Sequence, residues 1–349
     1  MNSITQFLYN CLAWINGVVG NYGVAIILFT ILIRLICMPF DYRSRKGMRK
    51  MQVLQPKIDE LRKKYQNDPA KLQQKQSELM RKEGYSMFSG CLPLLLTWPL
   101  MIAMFAAMRA IANEQLAMQT FKYLAGEENI ITAADRFLWV KNIWMSDSFF
   151  NPVAPNASSL NLITADVWQK AYELLTDAQR SGIAQSLAKV TEQALDFSTN
   201  DAMRVSVASM ISALGQIPAY TAAVAPVAGW SGLNFILVTV SVYQQYNGLL
   251  LLPVLAGLAQ VLQYKFNPQM AEQQQSQANN PQTAGMGKFM QYFFPILSVY
   301  FCLSSNAGFS VYWVTSTIVM WIQSVIISKI LEKQDEKKAQ SVTGEGSVK

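Results

Sequence analysis

Five apolar stretches, separated by hydrophilic segments, constrain the fold of this chain more than any other feature. They cover residues 22–40, 91–111, 248–266, 289–305 and 309–327. Each has the ~17–25 residues that an α-helix needs to cross the hydrocarbon core of a bilayer. Charged residues make up 15% of the chain, against about 25% in soluble domains. The sequence therefore predicts an all-α polytopic membrane protein with five transmembrane helices.

The hydrophilic segments carry opposite charge, and this predicts their side of the membrane. Residues 41–90 hold 13 Lys/Arg and 6 Asp/Glu, whereas residues 111–247 hold 7 and 11. Because basic segments stay on the cytoplasmic side, we predict that residues 41–90, the loop 267–288 and the basic tail 328–349 are cytoplasmic. An odd number of spans then places the N-terminus outside and the C-terminus in the cytoplasm.

Two residue types that support much enzymatic chemistry are missing or scattered. The chain has no histidine, the commonest metal ligand and a frequent general base. Its four cysteines share no close spacing that would indicate a disulfide framework or a metal site. We therefore expect no disulfide framework, no metal site and no cofactor.

Residues 41–90 predict a cytoplasmic helical hairpin. Apolar side chains recur by three and four along its first arm, at Met51, Leu54, Ile58, Leu61 and Tyr65. Asp68 is placed to cap a second helix that starts with Pro69, and Pro56 should kink the first arm. A second interpretation of the basic residues is a solvated face near anionic lipid.

The segments on the other side are predicted to be mainly helical. Residues 1–21 predict an interfacial helix, because Trp14 is typical of the membrane–water boundary. Residues 112–247 predict an extracytoplasmic region with an insertion, and its patterns indicate helices at 164–180, 182–195 and 200–214. Residues 205–228 could be taken for a sixth span, but a sixth span would invert the orientation of everything after it. We predict helices packed on the membrane surface instead.

Composition also predicts three connections. Residues 303–308 are too few for anything but a tight turn, and residues 276–287 are rich in Gln, Asn, Pro and Gly, which is typical of a loop. The Lys/Glu-rich tail 328–349 is expected to be disordered.

One full charge stands inside the first span: Arg34, six residues before Phe40. A guanidinium keeps its proton at neutral pH, and insertion scales put its cost near ~2.5–3.5 kcal/mol at the centre of a spanning helix. Such a residue indicates a functional site. The alternative is that the side chain snorkels to the headgroups, since six helical residues cover only ~9 Å.

Other polar and flexible side chains recur at helical spacing in the spans. Gln260 and Gln263 lie one turn apart in the third span, where polar side chains either join helices or face a wet cavity. Met101, Met104 and Met108 fall on one face of the second span. Such a stripe is usually core or lipid contact, and the alternative is an adaptable surface for varied apolar partners.

Ordered motifs along the chain are similar to those of a known family. They are Gly20-Asn21-Tyr22-Gly23 with Ile33-Arg34-Leu35 and Pro39, the stretch from Met51 to Tyr65 with Asp68-Pro69, Gly90-Cys91-Leu92-Pro93-Leu94-Leu95 with Pro99, Phe137-Leu138-Trp139-Val140, Leu252-Pro253 with Ala256-Gly257, and Gly308 through Trp313 to Gln323. With them the chain resembles the YidC/Oxa/Alb membrane protein insertases, in the five-span form typical of Gram-positive bacteria. It departs from the family at Asn306 and at Ser316-Thr317, and residues 151–233 have no recognised counterpart.

The resemblance implies a bacterial cell-membrane protein that acts on nascent membrane proteins without enzyme chemistry. It places a hydrophilic groove, open to the cytoplasm and sideways to lipid, around these residues: Arg34, Gln260, Gln263, Trp313, Thr30 and Thr97. The face of Met101, Met104 and Met108 would form a slide for apolar client segments. The implied partners are nascent membrane proteins, the ribosome, the general translocase and anionic lipids, with no DNA and no small-molecule substrate.

Two rival functions belong to other classes. A small-solute transporter would predict paired intramembrane charges and inverted repeats, whereas the sequence shows one unpaired Arg within the spans and no repeat. The second rival is a structural partner of the protein translocase, and insertion of a client by the purified protein alone would argue against it.

Overall fold

The chain forms two compact units, each built from three stretches of sequence. A computed structural model describes residues 3–83, 88–235, 238–267 and 284–345. Unit 1 comprises Met1–Phe29, Ala103–Gly257 and Leu297–Val314, and unit 2 comprises Thr30–Ile102, Leu258–Ile296 and Thr315–Lys349. Several of the longest helices contribute residues to both units.

The described residues are mainly helical. The longer helices are α1 (Ser3–Val19), α2 (Tyr22–Lys64), α3 (Pro69–Lys82), α4 (Phe88–Leu124), α10 (Leu251–Phe266), α11 (Ala284–Ser304) and α12 (Ala307–Glu345). The helices of the outer region are α5 (Ala157–Leu160), α6 (Ala165–Glu173), α7 (Asp177–Leu187), α8 (Asn200–Leu214) and α9 (Pro218–Ala223), with a 3-10 turn at Ala133–Asp135. A short antiparallel pair of strands, β1 (Leu233–Phe235) and β2 (Val238–Val240), also lies in the outer region, which was predicted to be mainly helical. The β-branched run at 238–240 favours extended backbone there.

Two helices are long and apolar enough to cross a membrane within the described residues. They cover Tyr22–Gly47 and Ala307–Lys337, and two shorter apolar helices cover Leu251–Phe266 and Gln291–Ser304. The predicted span at 91–111 lies on α4, but the side chains of residues 88–98 fall outside the described part. A helical membrane protein is therefore supported, and the arrangement of five spans stays a prediction.

The N-terminal helix has one buried and one exposed apolar face, as an interfacial helix should. Leu8 and Leu12 are buried, whereas Phe7 and Trp14 expose 63% and 73% of their surface. Helices α1 and α2 are separated by a bend at Gly20, whose φ of +72° is in the left-handed region. A residue without a Cβ adopts that conformation freely, so α1 ends one residue earlier and α2 begins two residues later.

The predicted hairpin turn is confirmed. The Asp68 carboxylate caps α3 by accepting from the backbone N–H of Lys71 at 3.0 Å, and Pro69 is the first helical residue. Leu54 and Ile58 are the buried members of the predicted apolar seam. The first arm continues α2 without interruption through two internal prolines.

The outer helices differ from their predicted bounds. The predicted helix 164–180 is wrong: α6 ends at Glu173 and α7 starts at Asp177, because Thr176 and Gln179 form a capping box that begins a new helix. The predicted helix 182–195 ends at Leu187. The helix at 200–214 is confirmed as α8, and a break before α9 leaves residues 205–228 without a single helix long enough to span.

The predicted disorder of the tail is wrong as far as residue 345. Helix α12 runs to Glu345, and its C-terminal half contacts α2 within unit 2: Arg49 lies 3.5 Å from the carboxylate of Asp335, and the Tyr42 hydroxyl donates to Gln334 at 3.0 Å. These contacts order a segment whose composition alone favours disorder. Residues 346–349 lie outside the described part, as does most of the predicted loop 276–287, whose last four residues belong to α11.

Candidate functional site

Arg34 lies on α2 in unit 2 and is buried, with 7% of its surface exposed. Its Nε donates to Oγ of Ser316 on α12 at 3.0 Å, and a terminal guanidinium nitrogen contacts the same oxygen. In the part of the chain that the structure describes, no carboxylate forms an ion pair with Arg34. The hydrogen-bond partner of this buried charge is therefore a neutral hydroxyl.

Helix α12 presents a second polar residue to the same turn of α2. Gln323 follows Ser316 by seven residues, so both lie on one face of α12. The Gln323 Nε2 donates to the backbone carbonyl oxygen of Arg34 at 2.8 Å. Its Oε1 is buried and has no hydrogen-bond partner among the described residues. A buried amide oxygen without a partner is costly to keep, so this face of α12 is suited to a polar ligand rather than to apolar packing.

The polar contacts continue along α2 toward its hairpin arm. Arg45 follows Arg34 by eleven residues, about three helical turns, so it lies on the same face. Its guanidinium contacts Oγ of Ser324, which donates to Oδ1 of Asn267 at 2.6 Å. Arg34, Ser316, Gln323, Arg45 and Ser324 are called the arginine cluster below.

Other predicted site residues of unit 2 lie on three helices. Thr30 is buried one turn before Arg34 on α2. Gln260 and Gln263 are half-buried on α10, and Oε1 of Gln260 is buried without a partner in the described ranges. Neither glutamine forms a hydrogen bond with Arg34 in those ranges. Thr97 lies on α4, and its side chain is outside the described residues.

The remaining predicted residues belong mostly to unit 1. Met104 and Met108 are completely buried, as the interpretation of the Met stripe as core predicts, and Met101 is half-buried in unit 2. The Trp313 ring packs 5.5 Å from the ring of Phe309. The slide for apolar client segments stays a prediction, and it would need Met104 and Met108 to become uncovered.

Sequence reasoning missed Ser316 and Gln323 as partners of Arg34. Ser316 stood out only as part of a departure from the family pattern. The signal that was available is the seven-residue spacing of two polar side chains in an otherwise apolar helix, which places both on one face. The sequence could not show that this face meets Arg34, because the two helices are nearly three hundred residues apart in the chain.

In unit 1, Asp147 caps the N-terminus of α10. Its buried carboxylate accepts from the backbone N–H groups of Leu249 at 2.8 Å and Leu252 at 2.6 Å, and from the indole of Trp139 at 3.1 Å. A negative charge is favourable at the positive end of a helix dipole. A Cβ on Gly248 would lie 1.9 Å from a carboxylate oxygen of Asp147, so only glycine fits beside this cap.

A second buried group in unit 1 holds the segment 142–146 in place. The Asn247 amide donates to the carbonyls of Asn142, Met145 and Ser146 and accepts from the backbone N–H of Asn142 at 2.8 Å. The turn that opens α12 pairs with the same segment, since Gly308 N–H donates to the Ile143 carbonyl at 2.9 Å. These polar groups are satisfied by one another, which indicates a structural role.

The sequence motif Phe137-Leu138-Trp139-Val140 forms a tight turn in unit 1. Phe137 and Val140 exchange two backbone hydrogen bonds of 3.0 and 2.9 Å, and Leu138 at the tip has a φ of +52° and exposes 73% of its surface. A Cβ on Gly23 would lie 2.0 Å from the Phe137 ring. Gly23 therefore lets α2 approach this turn closely.

Titrating groups outside the spans are shifted by local contacts. Burial, and then a 2.6 Å hydrogen bond to Glu114, raise the pKa of Tyr9 on α1. A 2.8 Å contact with Lys57 lowers the pKa of Glu83, which joins the end of α3 to the first arm of the hairpin. Each contact joins two helices, and neither involves a residue of the arginine cluster.

Comparison with known proteins decides the family. The sequence profile of the family described as 60Kd inner membrane protein matches residues 14–214 and 206–335. The chain belongs to this family. The match includes residues 151–214, for which the sequence motifs had given no counterpart, so much of the outer region lies inside the matched part.

Individual relatives in three bacteria share one name. A Membrane protein insertase YidC of Clostridium tetani is 32% identical over 167 residues, which are 46% of this chain and 76% of the relative. That of Pelodictyon phaeoclathratiforme is 37% identical over 139 residues, 40% of this chain and 21% of the relative. That of Aromatoleum aromaticum is 47% identical over 98 residues, 28% of this chain and 18% of the relative. The matched part of this chain thus spans about a fifth of the length of the latter two.

Proposed function

We propose that this chain is a membrane protein insertase. It binds hydrophilic segments of nascent membrane proteins in a positively charged groove open to the cytoplasm and releases their apolar segments sideways into the bilayer. Family membership and the names of the relatives support the class of function. The observation that carries the mechanism is Arg34, a buried guanidinium on an apolar helix whose partner is the hydroxyl of Ser316.

The physical reason lies in the capacity of the Arg34 guanidinium for further hydrogen bonds. A guanidinium has five N–H donors, and the contacts with Ser316 use only some of them. Coulomb attraction at low effective dielectric is several times stronger than in bulk water. An acidic residue in the tail of a client therefore gains from approaching Arg34, and this gain offsets part of the cost of taking the tail out of water.

The proposed groove includes Thr30, Thr97, Gln260 and Gln263 beside the arginine cluster. The buried, unpartnered amide oxygens of Gln260 and Gln323 support a polar lining that a passing chain could hydrogen-bond. Trp313, Met104 and Met108 belong to unit 1, and the proposal does not depend on them. No covalent step is part of it, so the chain acts as a chaperone of insertion rather than as an enzyme.

The proposed topology has five spans in a bacterial cell membrane, with the N-terminus outside and the C-terminus in the cytoplasm. The basic hairpin of α2 and α3 would then face the incoming chain, the ribosome and the anionic inner leaflet. The general translocase is a further proposed partner. Cysteine accessibility at an exposed hairpin position and at the exposed Leu138 would test the two sides separately.

Insertion of a client with an acidic tail tests the proposal. In cells depleted of their own insertase, Arg34→Ala should lower insertion at least tenfold, and Arg34→Lys should retain most of it because the charge remains. A photocrosslinker at position 34 should capture a stalled nascent client. Normal insertion by Arg34→Ala would refute the electrostatic role. Solute uptake by proteoliposomes without insertion would favour a transporter, and insertion only with the translocase present would favour a structural partner.

A further inference from the structure

A cavity of about 350 Å³ lies within unit 1, and no residue of the arginine cluster lines it. Helix α4, the segment 144–162 and the turn between α11 and α12 form its walls. Its size falls within the range of small-ligand sites, roughly 300–1,000 Å³. It is therefore large enough to take a compact polar group.

The charge on the wall of this cavity is positive. Arg109, on α4, is the one charged residue among the described residues that line it. Its side chain is exposed, and within the described part of the chain no carboxylate forms an ion pair with it. A guanidinium is planar and offers paired donors that match phosphate and carboxylate oxygens. The cavity therefore favours an anion.

Uncharged polar groups surround Arg109. In the ranges that the structure describes, the side-chain amides of Asn113 and Asn151 and the hydroxyl of Ser304 line the cavity and form no hydrogen bond. Amides and hydroxyls both donate and accept. They suit a ligand that carries hydroxyl groups as well as a phosphate, and free donors without such a ligand would be left to solvent.

The rest of the wall is apolar and lies at the end of the predicted spans. Phe105, Met108 and Phe309 line the cavity, and Leu162 at its rim exposes 59% of its surface. Arg109 stands two residues before the predicted end of the second span, and Ser304 one residue before that of the fourth. This is the depth at which lipid headgroups begin. A free anion has no apolar part that could pack against this wall, whereas a lipid does.

We propose that this cavity binds the headgroup of an anionic glycerophospholipid, with Arg109 on the phosphate, Asn113, Asn151 and Ser304 on the glycerol hydroxyls, and Phe105 and Leu162 against the start of the acyl chains. The predicted topology makes it a lipid of the outer leaflet. The site differs from the proposed client groove in position, in ligand and in its arginine.

A photoactivatable phosphatidylglycerol tests the proposal on the full chain in detergent micelles. Crosslinked peptides should map to residues 105–116, and unlabelled phosphatidylglycerol should compete, whereas phosphatidylcholine and inorganic phosphate should not. Arg109→Gln should reduce labelling of these peptides at least fivefold, and Arg109→Lys should keep about half because the charge remains. Arg204→Gln is the matched control, since Arg204 is an exposed arginine of the same unit that does not line the cavity.

Several results would overturn the assignment. Equal labelling of the Arg109→Gln and Arg204→Gln variants would show that Arg109 does not recognise the headgroup. Full competition by inorganic phosphate would indicate a site for free anions, and full competition by phosphatidylcholine would indicate apolar contact alone. Competition by an acidic client peptide in place of the lipid would assign the cavity to clients. Arg109→Gln should still insert clients, because Arg109 is not part of the proposed client groove. A loss of lipid labelling with insertion retained therefore reports on the lipid site alone.

Discussion

The side-chain amide of Gln323 donates to the backbone carbonyl oxygen of Arg34 at 2.8 Å. The same helix, α12, offers the Ser316 hydroxyl to the Arg34 guanidinium. Two residues seven apart thus bind the backbone and the side chain of one residue on α2. This contact holds the charge in place without neutralising it, which is the condition that an electrostatic binding site requires.

A new carboxylate beside Arg34 should block client binding while the arginine itself stays in place. Ser316→Asp places an acid where the guanidinium already contacts an oxygen, and a carboxylate can pair with a guanidinium through two hydrogen bonds and balance its charge. We expect client insertion to fall at least tenfold. Ser316→Ala, the matched control, should keep more than half of the activity because the charge stays available. In vivo insertion of an acidic-tailed client is the measurement, and wild-type activity of Ser316→Asp would contradict the prediction.

Removing the cap of α10 should destabilise unit 1. Asp147→Ala leaves the part-buried N–H of Leu249 and the buried N–H of Leu252 without their acceptor, at a cost of about 2–3 kcal/mol in the free energy of unfolding. Asp201→Asn changes an exposed acid of the same unit, and it should stay within about 0.5 kcal/mol of the wild type. Thermal unfolding in detergent compares the two. Similar melting temperatures for both variants would argue against the capping role.

Alanine substitutions at two glycines should change the stability of the protein in opposite directions. Gly23→Ala brings a Cβ to 2.0 Å from the Phe137 ring, and relieving such a clash costs about 1–3 kcal/mol. Gly17→Ala, on the helix α1, meets nothing within 4 Å and should stabilise by up to about 1 kcal/mol. The melting temperature should be lower than that of the wild type for Gly23→Ala and equal or higher for Gly17→Ala. A stable Gly23→Ala protein would show that the turn at 137–140 can move away.

Alkaline pH should weaken the outer region through Tyr220. Burial raises the pKa of Tyr220 to about 12, and its hydroxyl donates to the Pro155 carbonyl at 2.9 Å. The folded state therefore favours the protonated phenol, and its contribution is complete below the pKa of an unfolded tyrosine, about 10. It is lost as pH rises from there through 12.

Chemical denaturation at pH 9 and pH 11.5 measures this effect. At pH 9, Tyr220→Phe should be about 1 kcal/mol less stable than wild type because the hydrogen bond is lost, and at pH 11.5 the difference should shrink or reverse. Tyr65→Phe, which removes a tyrosine hydroxyl from the hairpin, is the matched control. A difference between Tyr220→Phe and wild type that is the same at both pH values would contradict the assignment.

The sequence by itself determined the helical membrane class and the family, and it led to the prediction that Arg34 belongs to a functional site. Apolar stretches of spanning length, an excess of charge in one hydrophilic segment and an isolated arginine are local properties, so they can be read without coordinates. The cap of α3 at Asp68 and the bend at Gly20 were predictable for the same reason, because each depends on a few consecutive residues.

Only the tertiary structure decided what surrounds each of these features. Ser316 and Gln323 meet Arg34, Asp147 caps α10 and Arg109 lines a cavity through contacts between residues far apart in the chain, and no local pattern reports such contacts. The order of the tail has the same cause: Arg49 and Tyr42 hold residues 334 and 335 in a helix that their composition does not favour. Composition describes what a segment prefers alone, and packing against another helix supplies the free energy that overrides it.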